Sequence, residues 1–188
     1  NEEHNTLGLF SGVLGGQIVL AGGTSDDYSR WGRNAVCLSE NAGFALYEDV
    51  LSKPLAYGAS ITLSDGILCI GGRDSSQCYK DVFLVTMQQG KLNVSEDWPP
   101  LPFPLSNAAG ALLDNKVYLF GGRKSVSPSR LSDLFCAGLS NKSRGWKELP
   151  GYRMRPGRCN SRGTEQRRFP CLYLLGDRRK RKKGCLLA

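Results

Sequence analysis

A hairpin that ends in two glycines recurs along this chain of 188 residues at an almost fixed spacing. Three copies lie at residues 15–23, 65–72 and 114–122, and the first glycine of each pair is residue 22, 71 or 121. The spacings are therefore 49 and 50 residues, and a weaker copy that ends at Gly176 follows after 55 more. A period of this length is typical of a repeat protein, in which each repeat is one supersecondary unit that packs on its neighbours.

Each repeat is predicted to contain four short strands. In the second repeat, residues 59–63 and 67–70 are apolar runs on either side of Asp65-Gly66, a pair that commonly supplies the positive φ of a tight hairpin turn. A second hairpin is predicted in two of the repeats, from residues 81–86 and 91–94 and from residues 133–137 and 146–150. Four strands, with Gly-Gly after one and Trp before Leu-Pro, are typical of a blade of a kelch-type β-propeller.

The predicted fold class is therefore all-β, a kelch-type β-propeller with about three to four blades present. No long stretch has helical periodicity. Propellers close with four to eight blades, and an open arc leaves sheet faces and edges uncovered. We therefore expect a fragment, a half-ring that associates with a second copy to close the ring, or a damaged copy of a longer protein.

The net charge of +8 is concentrated at one end of the chain. Residues 151–188 carry twelve Arg or Lys and two acidic residues, which leaves a net charge of −2 on residues 1–150. A nearly neutral repeat region lacks the basic patch that nucleic-acid binding needs, so we expect no nucleic-acid partner. No apolar run approaches the length of a membrane-spanning helix, and no membrane association is expected.

The seven cysteines favour core packing over metal binding or a disulfide framework. There is no Cys-x-x-Cys pair and His4 is the only histidine, so we expect no metal and no cofactor. Cys69, Cys136 and Cys171 lie within apolar runs and are predicted to be small core residues.

With its blades laid out, the chain resembles the N-acetylneuraminate epimerase (sialic acid mutarotase) family of bacterial kelch propellers, in particular its cyclically permuted branch. The resemblance covers roughly residues 7–23 and 53–157, and the stretch Ala56-Tyr57-Gly58-Ala59-Ser60 and the blade order are its most specific parts. It implies a ring of six blades, a periplasmic or secreted location with the cytoplasm as the alternative, and interconversion of α and β anomers without cofactor or metal.

Two segments depart from the family pattern. Residues 24–52 are polar and are predicted to be irregular where the family has an outer hairpin. From Arg158 onward, a polar run replaces an apolar strand, so we predict a partial propeller over residues 1–157 and an irregular degenerate blade with a basic tail over residues 158–188. A shifted reading frame would produce both departures.

The basic tail ends in Cys185-Leu186-Leu187-Ala188, which read literally is a prenylation box behind a polybasic run. The ordinary interpretation is a solvated tail. Because the family is bacterial, we expect no lipid anchor.

Five residues are predicted to bind an acidic sugar where the loops before each hairpin meet the loops after each glycine pair. They are Arg73, Arg123, Tyr57, Asn107 and Arg158, of which Arg158 is placed by the resemblance alone. An arginine cluster could hold the carboxylate of sialic acid in a bidentate manner. The plain alternative is a set of exposed loop residues without a ligand.

The catalytic residues of a mutarotase are not identified. Ring opening needs a base at the anomeric hydroxyl and an acid at the ring oxygen, and the acid proposed for the family has no counterpart in this chain. Asp74 is a nearby carboxylate that nothing singles out. The function predicted first is therefore a mutarotase-like isomerase, inactive if half the ring is absent, and the alternative is a non-catalytic kelch module that binds protein or glycan.

Overall fold

Each of the three glycine-pair repeats forms a four-stranded antiparallel sheet. The structure, a computed structural model, describes residues 6–41, 43–127, 134–138 (backbone only) and 145–149, all within the compact unit Asn1–Met154. The described residues contain strands and no helix, which confirms the all-β prediction. The predicted boundary after residue 157 and the predicted tail lie outside the described residues.

The strands follow one another in each sheet in the order in which they occur along the chain. The first sheet contains β2 (Phe10–Leu14), β3 (Gln17–Ala21), β5 (Ala35–Ser39) and β6 (Gly43–Tyr47). The second contains β7 (Ala59–Thr62), β8 (Ile67–Ile70), β9 (Val82–Gln88) and β10 (Lys91–Ser95). The third contains β11 (Ala109–Leu113), β12 (Lys116–Phe120), β13 (Leu134–Gly138) and β14 (Lys147–Leu149), and the pair β1 (Thr6–Leu7) and β4 (Thr24–Ser25) stands apart.

The second sheet lies between the other two and is apolar on both faces. One face of β8 carries Ile67 and Cys69, which pack with Phe10 and Val19 of the first sheet. The other face carries Leu68, which packs in the cluster that contains residues of the third sheet. Strands buried on both faces read as continuous apolar runs, and this explains the sequence of β8. Cys69 is 1% exposed, which confirms its prediction as a core residue, and burial raises the pKa of its thiol.

The first strands of neighbouring sheets lie side by side. The backbone N–H groups of Ser11 and Val13 in β2 donate to Ser60 Oγ and Thr62 Oγ1 in β7, at 3.0 and 3.1 Å. This close approach requires glycine at position 12, because a Cβ there would lie 2.6 Å from the side chain of Ile67. These hydrogen bonds fix the register between the first two sheets.

The prediction that residues 24–52 are irregular is wrong. Ala35–Ser39 and Gly43–Tyr47 pair as the outer hairpin of the first sheet, with Val36 opposite Leu46 and Cys37 opposite Ala45. Ala35 and Cys37 alternate with outward residues and are 1% and 2% exposed, so the strand has a buried face that holds it on the core. A shifted reading frame is therefore not needed to account for this segment.

The expected positive φ at Asp65-Gly66 is also wrong. The hairpins at Gly15-Gly16 and Asp114-Asn115 do use two left-handed residues, but neither Asp65 nor Gly66 is among the residues with positive φ. Glycine is needed at position 66 for space, since a Cβ there would lie 2.7 Å from the carbonyl oxygen of Val85.

Candidate functional site

Backbone hydrogen bonds join each loop before a hairpin to the residue that follows the glycine pair. Ala56 and Arg73 exchange two of them at 2.9 and 2.8 Å, and Ser106 and Arg123 exchange two at 2.9 and 2.7 Å. The predicted loop residues Tyr57 and Asn107 thus lie beside the predicted arginines Arg73 and Arg123 in successive repeats. Their backbone positions match, as the sequence suggested.

Tyr57 and Asn107 also share an uncommon backbone conformation. Their φ angles are 61° and 56°, and Gly8 has a φ of 68° at the corresponding position of the first repeat. The Tyr57 N–H donates to the Gly8 carbonyl and the Asn107 N–H to the Tyr57 carbonyl, both at 2.7 Å. A bulky residue in the left-handed region is rare and persists only where the surroundings hold it, which marks this series of loops as a candidate site.

Three aromatic rings surround the guanidinium of Arg73. Its central carbon lies 5.0 Å from the ring centroid of Tyr57, 5.1 Å from that of Trp31 and 5.7 Å from that of Tyr28. The rings themselves contact one another with centroid separations of 6.3 to 6.5 Å. These four residues are called the aromatic–arginine cluster below. Cation–π contacts of this kind attract a guanidinium to the ring faces.

Hydrogen bonds engage all three rings. The Tyr57 hydroxyl donates to the Tyr28 hydroxyl at 3.3 Å, and the Trp31 indole N–H donates to the Tyr28 carbonyl at 3.1 Å. Burial, together with the hydrogen bond to Tyr28, raises the pKa of Tyr57 to about 12. Tyr57 is therefore a neutral hydrogen-bonding group at physiological pH.

Asp74, the carboxylate next to Arg73, is fully engaged in a local turn. Its Oδ1 accepts hydrogen bonds from the N–H and hydroxyl of Ser76 and from the Gln77 N–H, and its Oδ2 accepts one at 2.6 Å from the Tyr79 hydroxyl. Burial opposes ionisation, but the bonds from Tyr79, Gln77 and Ser76 outweigh it and lower the pKa of Asp74 to about 2. A carboxylate of this kind is a weak base, and it stabilises the loop.

The first repeat has no arginine at the position of Arg73. Thr24 occupies the equivalent position, because it forms an isolated β-bridge with Trp31 in the way that Arg73 forms one with Cys78. Thr24 is 1% exposed and its hydroxyl donates to the Arg30 carbonyl at 2.8 Å. The first repeat therefore contributes aromatic rings from its loop in place of a cation.

A cavity of about 440 Å³ adjoins the cluster at Trp31. It is lined by Thr6, Gly22, Gly23, Thr24, Ser25, Arg30, Trp31 and Gly32. Pockets of this volume accommodate small molecules. Trp31 thus borders both the guanidinium of Arg73 and the cavity.

Tyr28 and Trp31 are the site residues that sequence reasoning missed. Both lie in the loop after the first glycine pair, within the segment that was expected to be irregular. Their presence as two aromatic residues in an otherwise polar loop is the sign that could have revealed them.

Of the predicted site residues, Arg73 and Tyr57 belong to the cluster. Arg123 is half-buried and Asn107 is exposed, and Asn107 Oδ1 accepts a hydrogen bond from Ser106 Oγ at 3.2 Å. Arg158 lies outside the described residues. Within the part of the chain that the structure describes, no three His, Cys, Asp or Glu side chains are grouped so as to hold a metal ion, and no helix is long and apolar enough to cross a membrane.

A scan against protein-family models finds no match for this chain, and a search of curated proteins finds no relative.

Proposed function

We propose that the aromatic–arginine cluster binds the carboxylate of an acidic sugar of the sialic acid type, in a kelch-type β-propeller with mutarotase-like activity. The observation that carries the proposal is the guanidinium of Arg73 among three aromatic rings, at 5.0 to 5.7 Å from their centroids. Aromatic rings occupy the faces of a guanidinium, whereas a carboxylate binds along its edge. We infer that the edge of the Arg73 guanidinium is the part that would receive the carboxylate.

The propeller part of the proposal rests on the repetition of the sheets and of their connections. Three four-stranded antiparallel sheets follow one another at spacings of 49 and 50 residues, each with a glycine pair after its second strand. The Gly23 and Gly72 N–H groups donate at 2.8 Å to Leu55 and Leu105, which lie in the loops before the next hairpin. Radial repetition of four-stranded sheets is the propeller architecture.

The chemistry that this proposal assigns to the site is a proton transfer without oxidation or reduction. The bond between the anomeric carbon and the ring oxygen breaks as the anomeric hydroxyl loses a proton and the ring oxygen gains one. The former ring oxygen then attacks the opposite face of the carbonyl carbon, loses its proton, and the carbonyl oxygen regains one as the new anomeric hydroxyl. The cluster supplies carboxylate binding to this reaction, and the two proton-transferring groups are left unassigned.

A second function is favoured by the titration of the described residues near Arg73. The low pKa of Asp74, about 2, and the high pKa of Tyr57, about 12, leave neither group suited to exchange protons near neutral pH. The alternative is a non-catalytic kelch module that binds a glycan or protein through the same cluster.

Calorimetric titration with N-acetylneuraminate tests the binding proposal. We expect Arg73→Lys to weaken binding at least ~10-fold, because an ammonium group has neither the planar faces nor the bidentate edge of a guanidinium. Arg33→Lys is the matched control, since Arg33 pairs with Asp49 and neither lines the cavity nor contacts the rings of the cluster, so its replacement should leave the affinity unchanged. Equal effects of the two substitutions, or no binding by the parent protein, would overturn the proposal.

Proton NMR of anomer exchange then separates the two functions. An accelerated exchange that Arg73→Lys reduces supports the isomerase. Binding with an exchange rate equal to that of the free sugar supports the non-catalytic module.

A further inference from the structure

The first sheet carries an apolar face that no other described residue covers. Val13, Ile18, Leu38 and Phe44 are successive cross-strand partners on this face, and Leu46 lies in the next row. Their exposed fractions are 49%, 50%, 37%, 65% and 52%. A contiguous apolar patch of this kind on a folded chain marks an interaction surface.

The same face of the second sheet is covered by a sheet. Ile67 and Val85 are 2% and 1% exposed because they pack in one cluster with Phe10 and Val19 of the first sheet. The junction between the second and third sheets repeats the arrangement, with Leu68 and Val117 both buried in one cluster. The fold therefore covers this kind of face with the opposite face of a preceding sheet.

On the third sheet, no described residue covers that opposite face. Ala111 and Leu113 on β11 are exposed, and Tyr118 and Phe120 on β12 are half-buried. They correspond in register to the residues of the second sheet that pack on the third, since Ala111 pairs with Tyr118 as Ile61 pairs with Leu68. The two open faces are thus the two halves of a junction that the chain already forms twice.

We propose that a second copy of this chain covers these faces, with the third sheet of each copy packed on the first sheet of the other. The two contacts are equivalent and together close a ring of two chains, as a head-to-tail interface does when its rotation closes. The two copies contribute six of the described sheets, which lies within the range of closed propellers. This inference does not depend on the sugar-binding proposal.

The hydrogen bonds between sheets give the proposed contact a register. Between the first two sheets, the Ser11 N–H donates to Ser60 Oγ. In the third sheet, Gly110 occupies the position that Ser11 has in the first. We therefore assign the Gly110 N–H as a donor to Ser11 Oγ of the second copy. The bonds from Tyr57 to Gly8 and from Asn107 to Tyr57 form a series. In the next bond of this series, the Gly8 N–H of the second copy would donate to the Asn107 carbonyl.

Sedimentation equilibrium of the full chain tests the stoichiometry. We expect a species of twice the 20.5 kDa mass of one chain. Ile18→Glu should weaken association at least ~100-fold, because it places an unpaired carboxylate in an apolar contact. Val126→Glu is the control, since Val126 is 38% exposed in a loop outside both faces and its replacement should leave the mass unchanged. Circular dichroism establishes that both variants are folded.

A designed disulfide tests the register. The Cβ of Ala59 lies 3.5 Å from the place where a Cβ on Gly110 would be, which is a separation that a disulfide can bridge. The corresponding residues of the proposed contact are Ala109 of one copy and Ser11 of the other. A chain with both Ser11→Cys and Ala109→Cys should therefore form a covalent dimer under a mild thiol oxidant, whereas each single variant should not. Within one chain β7 lies between the two strands that carry these residues.

Three outcomes would overturn the proposal. One is a monomer at all concentrations, which would show that a second copy does not cover the faces. Another is a dimer that Ile18→Glu does not weaken and that the cysteine pair does not link, which would place the contact on another surface. The third is an open series of growing masses, which would show that the rotation does not close.

Discussion

At the scale of single residues, the position of the Tyr57 ring depends on the absence of a side chain at position 8. A Cβ on Gly8 would lie 2.8 Å from the nearest atom of that ring. We expect Gly8→Ala to displace the ring, to break its hydrogen bond to Tyr28 and to lower the pKa of Tyr57 from about 12 toward its ordinary 10. Alkaline titration of tyrosine absorbance, with Tyr57→Phe to assign the late step, measures this change.

Gly15→Ala separates this steric effect from backbone strain. Gly15 has a φ of 55°, close to the 68° of Gly8, but a Cβ there would meet nothing within 4 Å. Both substitutions should cost roughly 1–2 kcal/mol of stability, because alanine is disfavoured in the left-handed region. Only Gly8→Ala should change the tyrosine titration, and an equal titration in the two variants would contradict the prediction.

The carboxylate of Asp74 gives the fold a dependence on acid. Its pKa in the folded chain is about 2, below the ordinary 3.8, so it stabilises the fold above about pH 4. This stability is lost as the pH falls from 3.8 through 2, because the unfolded chain then binds the proton more readily. Asp74 is partly exposed, so its contribution should be about 1 kcal/mol after solvent screening.

We expect Asp74→Asn to remove that part of the acid dependence. Urea unfolding at pH 6 and pH 2.5 measures it, and the stability difference between the two pH values should be smaller in the variant by about 1 kcal/mol. Asp65→Asn, at an exposed hairpin turn, serves as the control and should keep the parent difference. If Asp74→Asn kept it as well, the hydrogen bonds from Tyr79 and Ser76 would not be the cause.

At the scale of elements, the strands beside the glycine pairs could be read from the sequence, whereas the outer hairpin of the first sheet could not. β8 is a continuous apolar run after a turn, and it was predicted within its observed bounds. β5 and β6 escape sequence reasoning because they lie among polar loops, without a glycine pair beside them. The apolar runs at residues 35–38 and 44–47 are only four residues long, and so short a run is weak evidence for a strand.

The candidate site also contains residues that the sequence could place and residues that it could not. The spacing of the repeats was enough to bring Tyr57 beside Arg73, because hydrogen bonds at equivalent positions hold every copy in the same register. Tyr28 and Trp31 reach Arg73 only because the loop after the first glycine pair folds back, with Gly32 N–H donating to the Gly23 carbonyl at 2.8 Å. No periodicity in the sequence encodes that return.

At the scale of the whole molecule, stability in a stack of sheets comes from contacts between neighbours. Each repeat gains its buried area from the sheets on either side of it, as in other repeat proteins. The second sheet has a neighbour on both faces, while the first and third each have one face that no described residue covers. The closing contact with a second copy would therefore give the outer sheets the burial that the middle sheet already has.

If a second copy closes the ring, stability should rise with protein concentration. If folded pairs unfold to separate chains, a tenfold increase in concentration stabilises the folded pair by about 1.4 kcal/mol. The urea midpoint should therefore shift upward between two concentrations, measured by fluorescence of the buried Trp98. Ile18→Glu should have a lower midpoint that does not depend on concentration, while Val126→Glu should behave as the parent does. A parent midpoint independent of concentration would mean that the described sheets are stable without a second copy.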